Sequence, residues 1–302
     1  MSTVVVLQAG VARARLLPEF GGRVSALLLA TGAGESAVEV LHPYPEDFFD
    51  PLRWGKGGIY PLLPYSNRVA QACVRVDGVE VELVPHPDAA PHTLHGNAHT
   101  LPWRVVEQQP DRAVMVLESA RCAAWPWRYS ARQELQLSPS ALRVSIAITN
   151  ADERTMPAGI GLHPYFVHEP QARIGYHAGT VWPPTSDFLA LFARAPMAHE
   201  NHVPPRALRP GGLTDYVSGW GGRASIELPG GRVLALRADP VFDHLVVHRP
   251  DSLAYLCLEP ASHVADGFNL AARGVAGTGT RWLAPGESLS GAIEFSLRRQ
   301  RP

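Results

Sequence analysis

Four short stretches of the chain set ionisable side chains inside apolar surroundings: Gly57–Arg68, His92–Gly96, Gly159–Phe166 and Leu256–Pro260. The chemistry these residue types offer is proton transfer. A carboxylate and an imidazole can act as base and acid near neutral pH when their surroundings tune them, which makes Glu259 and His163 a candidate pair. Each precedes a proline, as Glu259-Pro260 and His163-Pro164. Proline pushes the preceding residue toward extended backbone and donates no ladder hydrogen bond, so both are expected where a strand leaves its sheet. The first stretch holds two glycines and two prolines and ends in Asn67-Arg68, an irregular path that can turn Arg68 inward.

Other chemistries are less well served. His86, His92, His95 and His99 lie close together, and imidazole is the commonest ligand for zinc or iron. Gly96 and Asn97 oppose the helix that would align His95 with His99, so no metal is expected. There is no GxSxG elbow, no glycine-rich phosphate loop after a strand and no CxxC pair. A glycosidase pair such as Glu259 with Asp266 would need a separation that spacing does not supply. Among 13 histidines and 28 prolines some His-Pro pairs arise by chance, His86-Pro87 for one, so each motif alone is weak.

The elements that must position these residues read as strands. Val74–Val76 and Val79–Leu83 flank Asp77-Gly78, whose positive φ suits a tight hairpin. Arg104–Glu107 with Ala113–Glu118, Ser130–Leu137 with Leu142–Thr149, and Ala224–Leu228 with Val233–Arg237 alternate in the same way. Helical spacing appears only in short runs such as Ser186–Arg194. Many strands without a fixed repeat predict an all-β fold, one large antiparallel β-sandwich domain spanning 1–302.

The 302 residues carry 27 basic and 28 acidic side chains, and Lys56 is the only lysine. That balance offers no attraction to nucleic acid or anionic lipid, so neither partner is expected. Cys73, Cys122 and Cys257 form no disulfide or zinc pattern, and no apolar run approaches 18 residues. A cytoplasmic setting is the expectation.

Taken in order, the four stretches resemble the aldose 1-epimerase (galactose mutarotase) family, whose members carry an Asn-Arg loop, a Leu-His-Gly, a His-Pro-Tyr-Phe and a late Glu-Pro. Leu213–Val217 resembles the family's aspartate segment, Glu259–Asn269 looks like an extended motif of a bacterial branch, and Pro285-Gly286-Glu287 also fits. The resemblance implies a β-supersandwich that interconverts α and β anomers of a free hexose without a cofactor. It implies Glu259 as general base and His163 as general acid, with Arg68, His95, Asp215 and Asn67 binding the monosaccharide. Tyr165, Phe166 or Tyr65 would cover the sugar's C–H face. His263 and Asp266 are expected to brace the loop beyond Glu259, and His244 is given no role. The alternatives are a non-catalytic sugar sensor and a hexose 6-phosphate epimerase using Arg53, Lys56 and Arg68, with a metal-dependent isomerase last.

Overall fold

The computed structural model describes residues 4–300 apart from 33, 54, 170 and 253, so both extremities of the expected 1–302 domain lie outside the described residues. Two large antiparallel sheets carry the fold. The ten-stranded sheet runs Val5–Ala9, Ala12–Leu17, Arg23–Leu29, Ile59–Leu62, Gly161–Pro164, Cys257–Ala261, His244–Arg249, Leu213–Ser218, Thr180–Val181, with Val38–Glu39 beside Arg23–Leu29. The nine-stranded sheet runs Arg104–Gln108, Arg112–Ser119, Tyr129–Leu137, Ala141–Asn150, Ser288–Arg299, Arg232–Ala238, Arg223–Leu228, Arg173–Tyr176, His202–Ala207. The four hairpins expected from alternation all form, the Asp77-Gly78 turn among them. The protein is all-β, as its patterning requires.

Alternation decides what each sheet buries. Leu135, Val144, Ile146 and Phe295 of one sheet join Leu162, Leu245, Val247 and Leu258 of the other in a single buried cluster. Each such side chain withdrawn from water contributes about 1.5–3 kcal/mol. The helical spacing at Ser186–Arg194 forms turns and isolated bridges instead of a helix. The α-helix Gly267–Ala272 is too short for its periodicity to stand out in sequence.

The strand-end expectation holds only loosely. His163 is the third residue of Gly161–Pro164, and Glu259 is the middle residue of Cys257–Ala261, in the interior of the ten-stranded sheet. Pro260 is tolerated there because the ladder between these two strands has a single pair, Gly161 with Ala261. A side chain on Gly161 would put its Cβ 2.8 Å from the Pro260 carbonyl oxygen, which is why glycine holds that contact. Two residues further along the same register, His163 stands opposite Glu259.

Candidate active site

That register builds the floor of a cavity. Tyr60 pairs with His163, Glu259 with Val246, and Val246 with Tyr216, so five residues from five strands form one row across the sheet. The next row on the same face holds Tyr165, Cys257, His248 and Thr214. The rows between them turn the other way, into the core shared with the second sheet. Apart from Cys257, which is fully buried outside the lining, the residues of these two floor rows enclose about 170 Å³ together with Lys56, Asn67, Arg68, Leu94, His95 and Phe188.

His163 Nε2 lies 3.4 Å from Glu259 Oε1, and both side chains are more than nine-tenths buried. The imidazole is held between Tyr60 and Tyr165, with ring centroids 4.8 and 4.5 Å away. His163 Nδ1 and Glu259 Oε2 are buried and have no hydrogen-bond partner among the described residues. Burial pushes the Glu259 carboxyl up to about 8, against a smaller downward pull from the Arg68 guanidinium. Burial, reinforced by His95, His248 and Lys56, drives His163 well below the usual imidazole value. Burial therefore favours a protonated carboxyl beside a neutral imidazole, the reverse of the resting state that a Glu259 base and a His163 acid require.

The walls are loops under strain. Asn67, His95 and Phe188 all have positive φ, at 61°, 62° and 64°. Such conformations cost about 1–3 kcal/mol each for residues other than glycine, and they persist where surroundings enforce them. The Asn67 amide donates to His95 Nδ1 at 3.1 Å, and the His95 amide donates to the Asn67 carbonyl at 2.8 Å. Because Nδ1 accepts, neutral His95 carries its proton on Nε2. Gly96 completes the turn at φ +66°, where a Cβ would meet the Leu63 carbonyl oxygen at 2.2 Å.

Two residues of the extended motif hold the Asn67-Arg68 loop from beneath. His263 Nδ1 bonds the Val264 carbonyl at 2.8 Å, leaving Nε2 to accept from the Ser66 amide at 3.1 Å. Asp266 accepts from the Ala70 amide at 3.0 Å, and its own amide donates to the Arg68 carbonyl at 2.8 Å. Neither residue lines the cavity. Arg68 lies with its guanidinium carbon 4.7 Å from the Phe188 ring centre. The Phe188 loop is tied down by Tyr216, which donates to the Phe188 carbonyl at 2.8 Å, and by Asp187 against His92 Nε2 at 2.9 Å.

Five of the six residues proposed from sequence thus meet: Glu259, His163, Arg68, His95 and Asn67. Asp215 does not join them. It pairs with Val247 in a row that faces the core side, and its carboxylate bonds Arg209 at 2.9 Å. Its neighbours Thr214 and Tyr216 take the cavity face. Of the aromatic candidates only Tyr165 lines the cavity, while Phe166 and Tyr65 pack in the core. His244 is buried beside Trp182, outside the cavity, and burial lowers it to about 3. Among the described residues, the histidines of the 86–99 segment fall in no group of three converging metal-ligand atoms. Tyr60, Thr214 and Tyr216 lie inside stretches singled out in sequence without being given a role there, and His248 and Phe188 carry no motif at all. The i, i+2 spacing of Thr214 and Tyr216, and of His244, Val246 and His248, is the signal that could have found them.

The profile of the aldose 1-epimerase family matches residues 4–296. The chain belongs to the aldose 1-epimerase family. A relative in it, the uncharacterised Escherichia coli K12 protein YphB, is 31% identical over 255 residues, which is 79% of this chain and 82% of YphB. The fold is similar to that of a galactose mutarotase-like protein from Clostridium acetobutylicum, at 19% identity and TM-score 0.83, covering 99% of this chain and 96% of that one. It is also similar to galactose 1-epimerase from Lactobacillus acidophilus, at 11% identity and TM-score 0.77, covering 99% and 95%. Among the described residues no helix is long and apolar enough to cross a membrane.

Proposed function

We propose that this family member is an isomerase that interconverts the α and β anomers of a free hexose by ring opening and reclosure. The observation that carries the reading is the 3.4 Å contact between His163 and Glu259 on one buried sheet face. Opening a cyclic hemiacetal moves two protons. One leaves the C1 hydroxyl for the base, another reaches the ring oxygen from the acid, and the C1–O5 bond breaks to leave an aldehyde. Rotation about C1–C2 and the reverse steps close the other anomer, with no net change of protons.

A pair holding one proton between its members suffices for this. Glu259 is the base and His163 the acid when the proton sits on the imidazole. The neutral arrangement favoured by burial is the proton isomer of that state, and the two interconvert across the same contact. The reaction needs no cofactor. Arg68, His95 Nε2–H and Asn67 bind ring hydroxyls, and Thr214 and His248, linked at 2.9 Å, take the holding role expected of Asp215. Tyr165 covers a C–H face of the sugar. Three free cysteines support a cytoplasmic setting.

A phosphorylated hexose is the second reading, favoured by two cations, Lys56 and Arg68, among the residues that line the cavity. The deciding test is NMR exchange spectroscopy of α and β anomers across a panel of free monosaccharides and glucose 6-phosphate. Faster exchange for a free hexose supports the first reading, and acceleration only of the phosphate supports the second. Binding without acceleration of any sugar would leave a sensor and overturn both.

A further inference from the structure

Against the cavity floor lies a buried thiol for which proton transfer has no use. Cys257 precedes Glu259 by two residues on one strand, so both side chains leave the same face. A nitrogen of His163, the Cys257 sulfur and an oxygen of Glu259 lie within 4.8 Å of one another, all buried. Among the described residues this is the one group of three such ligands that converges. We propose that His163, Cys257 and Glu259 form a site for a borderline-soft divalent cation of the zinc class, and that its occupancy blocks the sugar site.

Geometry and charge both fit such an ion. Zinc binds nitrogen and oxygen at about 2.0–2.2 Å in tetrahedral sites, which sets the two ligand atoms about 3.4 Å apart. His163 Nε2 and Glu259 Oε1 already stand at 3.4 Å. A zinc–sulfur distance of about 2.3 Å asks for roughly 3.6 Å from sulfur to either neighbour, so the thiol closes by about an ångström at most. Glu259 Oε2 is a buried polar atom without a partner among the described residues, and a carboxylate that holds the ion through both oxygens would offset that cost. A dication with one carboxylate, one thiolate and a neutral imidazole makes a group of zero net charge. Binding sends the thiol and carboxyl protons to solvent, as metal capture by protonated ligands requires. His163 and Glu259 line the cavity, which supplies the entry path.

This site goes beyond the mutarotase reading, because the ion occupies the same acid and base and acts as an inhibitor. Its test has two separable parts. Cobalt(II), a spectroscopic substitute for zinc, titrated into the intact protein should give tetrahedral ligand-field bands and a sulfur-to-cobalt charge-transfer band, saturating at one equivalent and bleached by zinc. Cys257→Ser should remove the charge-transfer band, with Cys257→Ala giving the same result if the serine variant does not fold. Cys73 and Cys122 variants should keep it.

In the second part, zinc should slow anomer exchange competitively with sugar, chelator should restore it, and Cys257→Ser should need at least about tenfold more zinc. Cobalt bands without the sulfur transition, or one that survives loss of Cys257, would overturn the site. Equal zinc sensitivity in Cys257→Ser would do the same. If the bands appear and no sugar exchanges faster, the metal site stands and the mutarotase reading falls. If sugars exchange faster and no bands appear, the metal site falls and the mutarotase reading stands.

Discussion

The two faces of the ten-stranded sheet are made by the same strands and differ in almost everything else. On the core face Leu162, Leu245, Val247 and Leu258 meet the second sheet and bring no polar side-chain atom to satisfy. On the other face, one residue along each strand, His163, Glu259, His248 and Thr214 sit under loops held in strained backbone. One face is stabilised by burial. The other carries buried ionisable groups at a cost, and the strands hold both because the core face anchors them.

Adjacent residues on one strand give the sharpest way to break that contrast. Leu258→Ala should lower stability by about 2–5 kcal/mol through a cavity in the core. Glu259→Gln should cut anomer exchange by about 10²–10⁴-fold, the usual worth of a positioned proton-transfer group. It should not destabilise the fold. Glu259 has a folded value near 8, above the usual carboxyl range, so its favourable contribution is full at low pH and is lost as pH rises through about 8. At pH 8 the glutamine variant should melt at least about 2 °C higher than the parent. A lower melting point for Glu259→Gln than for Leu258→Ala would show that the faces do not divide the labour in this way.

The pH profile sharpens the same comparison. Catalysis needs one proton on the pair, so activity should fall as that proton leaves near pH 8, the value to which burial raises Glu259. A second proton reaches the pair only where His163 charges, well below the usual imidazole range, so the acid limb should lie far below neutral. These limbs belong to the pair and not to either residue alone. An enzyme with both groups at ordinary values would instead lose activity near the carboxyl and imidazole ranges. The rate of anomer exchange measured from pH 4 to 10, corrected for the uncatalysed rate, distinguishes the two.

Much of this is legible in the chain because strands announce themselves by alternation. The hairpins follow from their turn residues and spacing, and the motif pairs ending in His163 and Glu259 mark the two reactive strands. Register is not legible. Nothing in the sequence states that Gly161 faces Ala261, yet that single pairing sets His163 opposite Glu259 and gives the site its chemistry. Proline is a weaker sign of strand exit than its missing donor suggests, since a short ladder tolerates that loss at Pro260. Burial is hidden as well, which is why residue types alone suggest an ionised carboxylate beside an imidazolium and the structure favours the neutral pair. Cys257 reads as an isolated thiol in sequence because only the i, i+2 step on a strand joins it to Glu259.

The smallest effects test whether parity along a strand alone assigns role. Asp215 and Thr214 are neighbours on Leu213–Ser218, and the family-like aspartate segment points to the first. Pleating sends them to opposite faces, Asp215 to an ion pair with half-exposed Arg209 and Thr214 to the cavity beside His248. A partly solvated pair of that kind is worth at most about 1 kcal/mol, so Asp215→Asn should change stability little and leave KM within about twofold. Thr214→Val keeps the shape but removes the hydroxyl, leaving His248 Nδ1 without its partner and the sugar without an acceptor. Losing one neutral hydrogen bond of about 0.5–1.5 kcal/mol should raise KM by roughly three- to tenfold with little change in kcat. Steady-state anomer exchange at varied sugar concentration reads both variants. Were Asp215→Asn the more damaging of the two, the strand would have to present its odd residues to the substrate, and the row of Glu259, Val246 and Tyr216 would lose its place in the site.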